Sequence, residues 1–115
     1  MKIHQRQWTR ASGWTPAPPA PQAEPPQLVL VFGSRAALGE AGVVESIRSA
    51  HPEACLFGCS TAGEICGTLV SDDAVVVTSV RFDQTQVRTA HVELADEGDS
   101  RRAGGRLARS LPLSV

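Results

Sequence analysis

The sequence predicts an α/β fold in which a mixed β-sheet holds a βαβ unit, followed by an antiparallel hairpin and a helix. Three observations carry this expectation. Two short apolar runs, "LVLVFGS" at 28–34 and "ACLFG" at 54–58, flank a segment whose apolar residues recur at helical spacing. A third run, "AVVVTSVRF" at 74–82, is followed after a polar break by the alternating "VRTAHVEL" at 87–94. The final residues, "LSV" at 113–115, read as the start of another strand, so the chain is expected to be an incomplete fragment of a larger domain.

The elements follow in order. Residues 1–27 are read as an N-terminal tail and proline-rich linker, because six of the eight prolines fall in "PAPPAPQAEPP" and proline fixes φ and removes a hydrogen-bond donor. One or both tryptophans of "WTRASGW" are expected to pack on the domain or on something beyond this fragment. Order is expected to begin at Leu28, in a strand buried on both faces and ended by Gly33. Residues 35–50 read as one helix, with Ser34 as its cap, Leu38, Ala41, Val44 and Ile47 on one face, and Pro52 as its stop. Strand, helix and strand within about thirty residues imply parallel neighbours and a right-handed crossover.

In the third run, Val76, Thr78, Val80 and Phe82 share one face, and residues 83–86 turn the chain. The strand at 87–94 would then direct Ala90, Val92 and Leu94 to the core and pair with the third run. From Asp99 or Ser100 a helix places Ala103, Leu107 and Leu111 one above another, weakened by Gly104 and Gly105 and closed by Pro112.

Bulk properties exclude several function classes. At 115 residues the chain has the length of one domain, and its apolar runs are far short of the roughly 20 residues that span a bilayer. No apolar segment follows the basic start, so no signal peptide is expected and the chain is expected to be cytoplasmic. A net charge of −1 and an absence of tyrosine argue against nucleic acid and anionic membrane as partners. Three cysteines, Cys55, Cys59 and Cys66, are an odd number in a narrow window, which fits a reducing compartment better than a disulfide framework. Their spacing matches no zinc site, so no metal is expected.

The segment "FGCSTAGEICG" at 57–67 concentrates the chemistry. One reading is a nucleophile elbow using Ser60 or Cys59, but that elbow needs G-x-S-x-G, and Gly63 comes one residue late. His4, His51 and His91 are all poorly placed in sequence to serve as its base. No catalytic residue is therefore expected. The second reading is a ligand cradle, because ligands of open α/β sheets sit beyond the carboxyl ends of parallel strands. Ser34 and residues Gly58, Cys59, Ser60, Thr61, Ala62, Gly63 and Glu64 would line it. Backbone N–H groups with the Ser60 and Thr61 hydroxyls would hold an anion, and Glu64 a cationic group, a set suited to an amino acid. The third reading is a tight turn without a ligand.

"LVLVFGS", the following helix, "PEACLFGCSTAGEICGTLVSDDAVVVTSVRF" and the later "HVEL" resemble the N-terminal half of the FIST sensory domain (F-box and intracellular signal transduction). The resemblance covers roughly 28–111, with "GCSTAGEI" its most specific part, and makes 28–115 a partial FIST N-terminal domain. "WTRASGW" before a proline-rich spacer resembles the start of bacterial stand-alone members. The resemblance implies a non-enzymatic input domain that binds a small ligand such as an amino acid. It also implies signalling partners of the histidine kinase, cyclic-dinucleotide enzyme or chemotaxis receptor classes. A branch of the family binds haem and senses nitric oxide, which nothing in these residues supports, so no cofactor is expected.

Overall fold

The computed structural model describes residues 1–94 and 99–111. Its elements are β1 (Lys2–Thr9), β2 (Gly13–Thr15), β3 (Leu28–Gly33), α1 (Arg35–Leu38), α2 (Val43–Ala50), β4 (Cys55–Ser60), β5 (Glu64–Cys66), β6 (Leu69–Ser71), β7 (Ala74–Arg81) and α3 (Ser100–Ser110). Five strands form one mixed sheet in the order β2-β1-β7-β3-β4, and β5 and β6 form a separate hairpin.

The centre of the sheet belongs to β7, whose run of β-branched residues suits a strand with neighbours on both sides. It lies antiparallel to β3 and to β1. Val75 and Val77 are fully buried on one face, where Val29, Ala37, Val43 and Ile47 complete the core. Trp8 and Trp14, cross-strand partners in β1 and β2, pack against this cluster as expected of them. Ile47 has no exposed surface, and burying such a side chain contributes about 2 kcal/mol.

The βαβ unit is as the sequence predicts, with β3 and β4 adjacent and parallel and the helices crossing between them. The single helix expected at 35–50 is instead two. The first ends at Leu38 with Gly39 as its C-cap, and Gly42, left-handed with φ of +83°, is the N-cap from which α2 restarts. Ser34 caps α1 as expected, its Oγ accepting from the Ala37 N–H at 3.0 Å. Leu38 and Ile47 face the sheet, whereas Ala41 is exposed and Val43 is buried more deeply than Val44.

Three further expectations are corrected. Residues 2–15 are not a free tail but strands β1 and β2 of the main sheet. Nor is the proline-rich segment only a spacer. The Arg6 guanidinium donates to the carbonyls of Ala17 (2.7 Å) and Pro18 (2.8 Å), and Lys2 pairs with Glu24. The expected pairing of 74–82 with 87–94 does not form: residues 87–94 have no strand structure, because β1 and β3 already occupy both edges of β7. Leu94, expected in the core, is 63% exposed.

The helix expected near 100 is α3, with Ala103 buried. Asp99 at its start holds Arg102 at 2.7 Å and Arg106 at 3.1 Å. The strand expected at 113–115 lies outside the described residues. No described helix is long and apolar enough to cross a membrane.

Candidate functional site

The segment at 57–67 runs from the second half of β4 through a turn into β5. Its first half depends on Gly58. A Cβ there would overlap the Val31 carbonyl oxygen of β3, so only glycine lets the two strands approach this closely.

Its second half is built around a buried carboxylate. Glu64 is 2% exposed. Its Oε1 accepts from the Thr61 hydroxyl at 2.7 Å, and its Oε2 accepts from the Ala74 N–H at 3.2 Å. Thr61 also extends the parallel ladder, its N–H donating to the Gly33 carbonyl at 2.8 Å, while the Ser34 N–H donates to the Ala74 carbonyl at 3.0 Å. Ser34, Thr61 and Glu64 thus tie the ends of β3 and β4 to the first residue of β7. A buried carboxylate needs such donors, and these two share its oxygens between them.

Gly58, Cys59, Ser60, Ala62 and Gly63 are exposed. The sequence-predicted residues therefore divide into an interlocked group and an open group. The open group starts on β4, which is the end strand of the sheet. The Cys55 N–H donates to Gln27 and the Thr61 N–H to Gly33, so odd-numbered residues of β4 face β3. Leu56, Gly58 and Ser60 accordingly direct their N–H and C=O groups away from the sheet.

Beside this edge, on the helix side, lies an open groove of about 570 Å³ lined by Val31, Leu38, Ile47, Leu56, Ser60 and Arg48. Its floor is apolar. Arg48 is exposed and makes no ion pair among the described residues, so it is the one charged group in the lining. Sequence reasoning missed Arg48. The available signal was its place four residues after Val44 on one flank of α2, but only the sheet order reveals that this flank overlooks an open edge.

The geometry brings no histidine to the nucleophile candidates. His51 is 3% exposed at the C-terminal end of α2, next to the start of β4, whereas Ser60 ends that strand roughly 16 Å away at about 3.3 Å per residue. His51 is held below the ordinary histidine value of 6.5, first by burial and then by the positive charge of Arg6. Neither Ser60 nor Cys59 has a side-chain hydrogen bond to any histidine among the described residues. All three cysteines are free thiols. Among the described residues no three His, Cys, Asp or Glu side chains cluster as metal ligands do.

No curated protein and no solved structure matches the chain. The family model described as FIST N domain matches residues 27–115, which is most of the chain and includes every site residue discussed above.

Proposed function

The chain belongs to the FIST N domain family, a family of signal-transduction sensory domains, and on that premise we propose that it is a non-enzymatic, cytoplasmic input module of bacterial signalling that binds a small zwitterion in the groove beside β4. Amino acids are the ligand class we favour. The carboxylate would sit on Arg48, the side chain on the apolar floor of Leu56 and Ile47, and the ammonium on the outward carbonyls of Gly58 and Ser60.

The observation that carries this reading is the pairing of one unneutralised cation with an apolar floor and an unpaired strand edge. Buried Glu64 has a positioning role in it, holding the turn that follows Ser60, and Ser34 and Thr61 share that role. No cofactor is part of the proposal. Downstream partners would be a histidine kinase, a cyclic-dinucleotide enzyme or a chemotaxis receptor.

Thermal-shift titration against the twenty amino acids tests it, with haem as a separate arm. A ligand at 100 times its Kd stabilises the folded state by about 2.7 kcal/mol. We expect at least one amino acid to raise the melting temperature, Arg48→Ala to remove that rise, and haem to have no effect. A panel without any shift, or a shift that Arg48→Ala leaves intact, contradicts the proposal.

A further inference from the structure

The groove and the edge of β4 form one surface, and we infer that its ligand is peptidic: an extended segment that adds a strand to β4, apolar on both faces and carrying acidic residues against Arg48 and Arg88. This rests on the groove being a ligand site, as proposed above, and names the class of ligand.

The backbone is the first argument. Leu56, Gly58 and Ser60 present three N–H donors and three C=O acceptors that no strand among the described residues uses. Proteins ordinarily blunt such an edge with lysine, proline, a bulge or an inward charge. "CLFGCS" has none of these devices. An added strand would lie about 4.8 Å outside β4, and its main chain would supply affinity while alternate side chains supplied selectivity.

Both faces offered to those side chains are apolar. The helix-side groove receives every second residue. The remaining residues would meet a hollow of about 670 Å³ on the opposite face, where Leu30, Phe57 and Leu107 are exposed to it. Phe57 is 64% exposed, an unusual state for a phenylalanine in a sheet. Gly58, without a side chain, leaves the middle of the edge clear.

Charge selects among the occupants. Among the described residues the two linings together contain Arg48 and Arg88 and no carboxylate. Neither arginine makes an ion pair among the described residues, and Arg88 has only a 3.4 Å hydrogen bond to Gln86. A second copy of β4 would bring another uncharged "CLFGCS" and leave both guanidinium groups without a partner. An acidic and apolar segment of a different protein satisfies the backbone, the two apolar faces and the two charges together.

The test is fluorescence anisotropy with a labelled, end-blocked hexapeptide, VIEDVI, against the full chain. Three competitors accompany it: VIKKVI, VIEDVI with alternate amides N-methylated, and N-acetylglutamate. We expect VIEDVI to bind, the N-methylated form and VIKKVI to bind at least tenfold more weakly, and Arg48→Glu, a change at an exposed position, to abolish the preference between VIEDVI and VIKKVI because Arg88 remains. Equal binding of the acidic and lysine peptides, or indifference to N-methylation, overturns the inference. Binding of N-acetylglutamate through Arg48 with no gain from the peptide also overturns it, while leaving the small-ligand proposal standing. Absence of binding by both acidic probes overturns the inference, while the small-ligand proposal stands or falls on the free amino acid titration. A concentration-dependent dimer that protects the Leu56, Gly58 and Ser60 amides from hydrogen exchange would assign the edge to a second copy and likewise overturn it.

Discussion

The two edges of the main sheet are built differently. At one end β2 is three residues long, its Trp14 is packed against the core, and Pro16 follows it directly. The proline-rich segment then returns along β1, fastened by Arg6 and Lys2. At the other end β4 offers six residues with neither proline nor charge, an exposed phenylalanine and a groove. A short, proline-terminated edge resists adventitious pairing, whereas a long uncharged one invites it. Within one sheet the chain thus has a guarded edge and an open one, and the residues singled out by their chemistry lie on the open side.

Substitutions can break this contrast, and the largest effect is expected at Gly58. Gly58→Val forces a side chain into the β3 backbone and should cost about 3 kcal/mol, since β4 must move away from its neighbour. On the guarded edge, Gly13 has φ of +65° but open space around its Cβ position, so Gly13→Ala should cost only about 1 kcal/mol. Chemical denaturation of both variants checks the difference.

Glu64→Leu comes next. It leaves the Ala74 N–H and the Thr61 hydroxyl without their acceptor and should destabilise by about 2 kcal/mol. If Glu64 instead contributed mainly a ligand contact, stability would hold and only amino acid binding would fall.

A pH effect links the two sides, because His51 lies next to the start of β4 yet feels the charge of Arg6 on β1. His51 binds its proton less tightly when folded, through burial and the charge of Arg6. Its contribution is complete above the ordinary value of about 6.5 and is lost as the pH falls through the lower folded value. Melting temperature should therefore drop on acidification, and His51→Gln should flatten that limb. An acid limb unchanged by His51→Gln would remove His51 from the account. The smallest effect is expected at Ser60, exposed and with no side-chain hydrogen bond among the described residues, where Ser60→Ala should change stability by less than about 0.5 kcal/mol.

Much of this organisation is legible in the sequence. The apolar runs at 28–34 and 74–82 announce β3 and β7 because both are buried, and burial is what hydrophobic patterning records. The βαβ unit and α3 follow from the same signal. "KIHQRQWT" carries no such pattern, because β1 is held by backbone pairing to β7 along its length while its side chains, from His4 to Gln7, stay largely at the surface. The strand read at 87–94 has the right alternation but no vacant neighbour: the β7 edge it needed is taken by β1, a pairing across more than sixty residues that local patterning cannot report.

The candidate site divides in the same way. Small residues at the end of β4 identify the turn, and Gly58 is identifiable as a close-approach position. That Glu64 points inward while Gly58 to Ser60 remain open depends on where β7 begins. Arg48 joins the site only because β4 is the last strand, a property of the whole sheet.

Amide hydrogen exchange along β4, with and without the acidic peptide, tests the open edge most directly. The account predicts that the Leu56, Gly58 and Ser60 amides of the free chain exchange much faster than those of Phe57, Cys59 and Thr61. It further predicts that VIEDVI protects those three while leaving β2 unchanged. Uniform protection of β4 in the free chain, or protection by the peptide at β2 instead, would contradict it.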